Sequence, residues 1–172
     1  QSINVKPNSR VALAVDLRPS SPTIAAACAA AIQHTGLQVD YCGAIPTPAL
    51  AFYAQQQNIV GIMVTGSHIP FDRNGIKFYG LNGEITKEDE ANISNAVVSM
   101  PTANHSAPLP HVNVLARQDY INRYLDYFPP QSLSGLTLGF YQHSSVARDV
   151  LTALLEALGA EVIPLGRTNA FV

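Results

Sequence analysis

The sequence predicts an α/β fold: a layered mixed-sheet domain of order βαβαββα, followed by the opening βαβ unit of a second, similar domain. Three observations carry this reading. Short β-compatible runs alternate with helix-length segments along the first part of the chain, the pattern of a layered α/β domain. The third run, "IVGIMVTG", is apolar almost throughout, as expected of a strand covered by helices on both faces. After Pro130 the same alternation restarts.

Taken in order, "RVALAVD" from Arg10 to Asp16 is a continuous β-compatible run that gives way to the turn cluster "LRPSSP". Ser21 and Pro22 then read as an N-cap and a proline at the first helical position, and Gly36 closes that helix. "LQVDYCG" alternates and predicts the second strand. "PTPALAFYAQQQN" repeats the start signal, with Thr47 as N-cap and Pro48 behind it. The third strand leads through Ser67 to Asn74-Gly75, a pair suited to a tight turn. "GIKFYG" follows as a short fourth strand, antiparallel to its neighbour because the connection is brief. "TKEDEANISNAVVSM" predicts a helix whose acidic first turn complements its dipole. Residues 101–118 are proline-rich and irregular, a connector with room for one short strand, and "DYINRYLDYF" is a helix stopped by Pro129 and Pro130. Beyond it come a strand in "LTLGFYQ", a helix in "SVARDVLTALLEALG" that ends at Gly159, and a strand in "AEVIPLG". A lone βαβ unit cannot bury its own faces. The expected division is therefore a first domain over residues 1–128 and an incomplete second one over 129–172.

Composition removes several function classes. Of 172 residues, 47% are apolar and 13% charged, which suits a buried core and argues against disorder. The 10 basic and 12 acidic residues leave a net charge of −2 with no basic block, so no nucleic-acid groove is expected. The longest apolar stretch, "TIAAACAAAI", is too short to cross a bilayer, and "QSINVKPNSR" has no signal-peptide core; no membrane partner is expected. Cys28 and Cys42 fit reduced thiols better than a disulfide framework, which points to a cytoplasmic enzyme.

The chemistry concentrates in "VTGSHIPFDRNGIKFYG", residues 64–80. Ser67 falls just past the carboxyl end of a central strand, where open α/β sheets place their ligands. Gly66 before it permits close approach of a ligand, or a positive φ. His68 can orient or deprotonate the hydroxyl, and Lys77 can stabilise an anion or move a proton. A tight turn at Asn74-Gly75 would fold Lys77 back towards the serine. The residues alone leave open a plainer reading, in which these are ordinary polar loop positions and Lys77 is solvated.

Thr65-Gly66-Ser67-His68-Ile69-Pro70, followed by Asn74-Gly75-Ile76-Lys77, resembles the serine loop of the α-D-phosphohexomutases, the phosphomannomutase and phosphoglucomutase family. "VALAVDLRPSS" and "GAIPTPAL" are similar to that family's first-strand and Pro-Thr-Pro segments, in family order, and "LLEALGAEVIPL" to the start of its second domain. The resemblance implies an intramolecular phosphotransferase that interconverts hexose 6-phosphate and hexose 1-phosphate through a phosphoserine and a bisphosphorylated sugar. It makes Ser67 the phosphoryl carrier, His68 a residue shaping the site, and Lys77 an acid/base that offsets phosphoryl charge. Arg18, Asn74 and Gly75 become phosphate- or substrate-binding residues, Arg18 because its planar fork suits phosphate oxygens. A plain ion pair with Asp16 is the alternative for Arg18. Mg²⁺ is implied as cofactor, bound through the phosphate on Ser67, with hexose 1,6-bisphosphate as activator and intermediate. The implied partners are a phosphorylated hexose and further domains of the same chain.

Several family segments are missing: the aspartate-rich metal loop, the sugar-reading loop and the C-terminal phosphate loop. This piece is thus expected to be inactive alone. Ile69 stands where the family has asparagine, and "YQHSSVAR" where many members have a glycine-rich turn. Phosphoglucosamine mutase and a non-catalytic binding or regulatory homologue are the alternatives. A serine hydrolase ranks below them, since no G-x-S-x-G turn occurs. His34, His105 and His111 are read as structural or solvated. His143 and Arg148 before a helix offer an anion site, against simple capping by Ser144 or Ser145. Asp72 and Arg73 touch substrate or pair in solvent. Tyr120, Tyr124, Tyr127 and Phe128 form a packing stripe rather than a nucleotide platform.

Overall fold

The computed structural model describes residues 9–98 and 106–172. Its elements are β1 (Arg10–Val15), α1 (Ser21–His34), β2 (Gln38–Ala44), α2 (Thr47–Gln57), β3 (Val60–Val64), β4 (Ile76–Gly80), β5 (Gly83–Glu84) and α3 (Lys87–Asn95). They are followed by α4 (Leu115–Tyr127), β6 (Thr137–Tyr141), α5 (Arg148–Ala157) and β7 (Glu161–Leu165). The first five strands form one sheet in the order β2-β1-β3-β4-β5. β1 pairs in parallel with β2 and β3, while β3–β4 and β4–β5 are antiparallel. The sheet is mixed because only its parallel half needs helical crossovers. β6 and β7 pair in parallel as a separate two-stranded sheet.

The central strands are buried on both faces. Against one face lie Ala25 and Ala29 of α1, touching Leu13, Val15 and Val64. Against the other lie Ala49, Leu50, Tyr53 and Ala54 of α2, over Ala12, Ala14 and Met63. Alanine on both helix and strand lets the layers approach closely, which explains why "AIQH" at the end of an alanine-rich run can still belong to a core helix. α4 joins the second face through Ala116 and Tyr120, and Val150 of α5 packs into the same cluster.

A buried polar network ties the connector to this face. Asp40 accepts from Arg10 (2.9 Å), the Tyr53 hydroxyl (2.9 Å) and Asn113 Nδ2 (2.7 Å). The Asn113 backbone N–H also donates to the Tyr41 carbonyl at 2.7 Å. Burial first, and the Asp40 hydrogen bond second, push the Tyr53 phenol up to about 12.

Several element boundaries differ from expectation, each for a local reason. Ser21 and Thr47 sit inside their helices; the flanking positions are Ser20 and Pro46, and neither makes a side-chain cap. Ser21 is instead drawn to Asp16. α3 ends at Asn95, although its Thr86–Asp89 capping box is complete; the predicted tail at Ser99 and Met100 lies outside the described residues. α4 begins at Leu115 rather than Asp119, with Asn113 Oδ1 accepting from the Leu115 N–H. α5 begins only at Arg148, because residues 143–147 are held in turns. Among the described residues, the connector carries no strand. The short β5 pairs only two residues and has no alternating pattern, so nothing in the local residue order marks it as a strand.

Asn74-Gly75 is not a hairpin turn. Such a turn needs positive φ at its central residues, and neither residue has it. The Asn74 amide bonds outward to Ser20 Oγ (3.1 Å) and Ser21 Oγ (2.8 Å), so the pair seals the base of a wide loop against the start of α1.

Candidate active site

β1 and β3 lie side by side in parallel, so their carboxyl ends deliver Asp16 and Thr65 to one place. Asp16 Oδ1 accepts from the Arg18 N–H (3.0 Å) and from Ser21 Oγ. Its Oδ2 accepts from Thr65 Oγ1 (2.8 Å) and the Gly66 N–H (3.3 Å). Thr65 Oγ1 in turn accepts from the Ser67 N–H at 3.1 Å. The loop from Gly66 to Asn74 closes where the Thr65 N–H donates to the Gly75 carbonyl at 3.0 Å.

Inside that loop Ser67 adopts φ 50°, a left-handed conformation uncommon for a residue other than glycine. Arg18 holds it there. Its Nη1 donates to the carbonyls of Pro70 and Arg73, and its Nη2 to those of Ser67 (3.2 Å) and Ile69 (2.8 Å). Nε lies 3.3 Å from Asp16 Oδ2 without a hydrogen bond. The side chain is only 3% exposed. Arg18 is thus more than a simple ion pair with Asp16: both Nη atoms engage loop carbonyls, and the residue lines the cleft beside Ser67. Gly66 makes room for it, since a β-carbon there would stand 2.3 Å from Arg18 Cζ. Gly66 therefore serves close approach, and the positive φ falls one residue later.

Ser67 and His68 are exposed and line a cleft of about 540 Å³. Asp16, Arg18, Ile69 and Phe71 share that wall, and the far wall comes from His143, Ser144, Ser145 and Val146 with Phe171 and Val172. The "YQHSSVAR" turn thus faces the serine. His143 has φ 33°. Ser145 Oγ accepts from the Ala147 N–H two residues on, a turn contact rather than a helix cap, since α5 has no side-chain cap, while Ser144 Oγ bonds to the backbone of Val172. Arg148 donates to the carbonyls of His143 and Thr168, so it organises backbone as Arg18 does.

Lys77 is not among the residues lining this cleft. It stands across from Met63 on β4 and lines another groove, of about 470 Å³, with Glu84, Lys87 and Glu90. In place of the expected tight turn a wide loop precedes β4, and Lys77 lines that groove. Asn74 and Gly75 seal the loop base rather than line the cleft. Asp72 and Arg73 are exposed and make no ion pair with each other. Their side chains find no partner among the described residues, whereas the Arg73 carbonyl is an anchor for Arg18. His34 and His111 are exposed, as read, and His105 lies outside the described residues. Tyr120 and Tyr124 pack edge to face, 5.2 Å apart, on the α2 side, while Tyr127 and Phe128 are exposed.

The described residues contain no group of three or more His, Cys, Asp or Glu side chains able to hold a metal ion. Among the described residues that line the cleft, Asp16 is the one Asp or Glu, and both its oxygens are committed. By themselves these residues do not fit Mg²⁺. No helix among them is long and apolar enough to cross a membrane.

The family model for phosphoglucomutase/phosphomannomutase, alpha/beta/alpha domain I, matches residues 2–102. The chain is 47% identical over 164 residues to a phosphomannomutase of Salmonella muenchen, covering 94% of this chain and 34% of that protein. It is 43% identical over 180 residues to a phosphomannomutase of Sinorhizobium fredii, covering 98% and 36%. With a phosphoglucosamine mutase of Zymomonas mobilis the identity is 33% over 162 residues, covering 91% and 36%. A solved chain from Thermus thermophilus superimposes with a TM-score of 0.73 at 23% identity, over 91% of this chain and 37% of that one, which establishes the fold. The chain therefore spans about a third of the length of the curated relatives it matches. A domain I model matched over more than half the residues, on a sheet that carries the serine loop at the end of β3, leads to one conclusion: the chain belongs to the phosphoglucomutase/phosphomannomutase family.

Proposed function

We propose that the whole protein interconverts hexose 6-phosphate and hexose 1-phosphate, with Ser67 as phosphoryl carrier. The observation that carries this reading is the loop itself. A left-handed serine, exposed and lining a cleft, is held by a buried arginine at the carboxyl end of a central strand. In the forward step the bond between phosphorus and Ser67 Oγ breaks, and one forms to the free sugar hydroxyl, whose proton leaves to a base. The bisphosphorylated sugar then turns over in the site, and Ser67 Oγ takes the other phosphate. Such transfers need positioning and charge stabilisation more than covalent chemistry.

His68, exposed on the cleft rim beside Ser67, is the proposed shaping and proton-handling residue. Lys77 is proposed to offset phosphoryl charge and act as acid/base, its flexible stem carrying the ammonium beyond the groove it lines. Arg18, Asn74 and Gly75 are assigned to holding the loop. Mg²⁺ would take its protein ligands from parts of the protein outside this chain, with a phosphate on Ser67 completing the set.

Mannose or glucose phosphate is the favoured substrate. The phosphomannomutase relatives are 47% and 43% identical, against 33% for the phosphoglucosamine mutase of Zymomonas mobilis. We further propose that residues 1–128 form domain I, that 129–172 open domain II, and that this chain is inactive without the rest. Two free cysteines, one of them buried, support a cytoplasmic setting. The test is phosphopeptide mapping of the full-length protein after exposure to hexose 1,6-bisphosphate. Phosphate on Ser67, lost in Ser67→Ala together with at least about 10³-fold of kcat, supports the reading. An unmodified Ser67 in a protein that still turns over would overturn it.

A further inference from the structure

We infer that Phe171 is a positioning residue for phosphoryl transfer at Ser67, acting through Arg18; the inference rests on the carrier role proposed for Ser67. The Phe171 ring lies 5.0 Å from Arg18 Cζ, with the cation over its face. Gly66 packs so tightly on the same guanidinium that no β-carbon fits there. Between them the arginine is shut off from water, which strengthens its bonds to the four loop carbonyls.

The segment that carries Phe171 is anchored by the second buried arginine. Arg148, 8% exposed, donates to the Thr168 carbonyl at 2.6 Å and reaches Asn169 Oδ1 at 3.5 Å. On the other side, the Val172 N–H donates to Ser144 Oγ at 2.9 Å. The segment 168–172 is therefore tied down on both sides of the ring. The path from the β6–β7 unit to Ser67 runs from Arg148 to Thr168 and Asn169, along the backbone to Phe171, and from its ring to Arg18. Taking the ring away admits water to the guanidinium, where it competes for the N–H groups that keep Ser67 left-handed. The loss belongs to transfer rather than to sugar binding, because Phe171 acts on the loop.

The test compares Phe171→Ala, Phe171→Leu and Phe171→Tyr in the full-length protein. Amide hydrogen exchange is followed at Ile69 and Arg73, whose N–H groups close the loop onto the Gly66 and Pro70 carbonyls at 3.0 Å. In Phe171→Ala we expect roughly tenfold faster exchange across residues 66–74, with β6 and β7 unchanged. The hexose phosphate kcat should fall about tenfold while KM stays within about twofold. Tyrosine keeps the aromatic face and should restore both values. Leucine keeps part of the apolar cover without that face and should show the same faster exchange and lower kcat to a smaller extent, which decides the matter should alanine unfold the chain. Unchanged loop exchange in both Phe171→Ala and Phe171→Leu would overturn the inference. So would a higher KM at constant kcat, which marks the ring as a sugar contact. If the wild-type protein never carries phosphate on Ser67, the mutase reading fails by itself, and a loop exchange coupled to Phe171 would then show a strap without the catalytic role.

Discussion

Gly66 and Arg18 illustrate how much of the site rests on single atoms. A methyl group at Gly66 collides with a guanidinium that has no free space to retreat into, since it is buried and bonded to four carbonyls. Gly66→Ala should cost roughly 2 kcal/mol of stability, an overpacking penalty, and should depress kcat by freeing the loop. Thermal denaturation together with steady-state kinetics on the full-length protein checks both. At this scale the sequence marks which residues come together at the loop better than what each of them bonds to. Ser67, His68, Arg18 and Gly66 are all legible in the motif. The targets of Arg18 are not, because a hydrogen bond to a backbone carbonyl leaves no mark on the residue that accepts it. The same holds for Arg148, whose partners are also mostly carbonyls. Phe171 lay far from any motif, and only its position in space connects it to the site.

Among the elements, β1 through β4, α1, α2 and the closing βαβ unit were readable because apolar runs and Pro or Gly punctuation coincide there. The misreadings cluster where side chains have competing partners. Ser21 left its expected capping role for Asp16, and Asn74 gave up a turn to bond with Ser20 and Ser21. Helix α3 is the reverse case: its capping box was present in "TKED", yet no residue of the helix is buried. Local bonds therefore supply most of its order. Thr86→Ala should fray α3, with lower helicity and faster amide exchange over residues 87–95, while the global melting temperature hardly moves. Tyr53 on α2 gives the opposite pattern. Tyr53→Phe leaves Asp40 and Asn113 each one partner short inside a buried network, and should cost about 1–2 kcal/mol globally, as measured by denaturant unfolding.

Across the whole molecule, the core on one face of the five-stranded sheet reaches into the closing βαβ unit, since Val150 of α5 shares a cluster with Tyr53 and Tyr120. That core holds acids that burial keeps protonated. Burial raises Cys42 from its ordinary 9.0 to about 12, and raises Tyr53 and Tyr120 from 10.0 to about 12. The unfolded chain gives up these protons first. Stability is therefore fully present below about pH 9, falls as pH climbs through the range between the two sets of values, and levels off near 12. A melting series from pH 8 upward should show this decline, and Tyr53→Phe should blunt it. The buried thiol has another use. At 2% exposure and with so little thiolate, Cys42 should ignore alkylating reagents while the fold is shut, whereas half-buried Cys28 on α1 should react sooner. The two cysteines thus form a pair of clocks, one ticking with local breathing of a helix and the other only when the whole core opens.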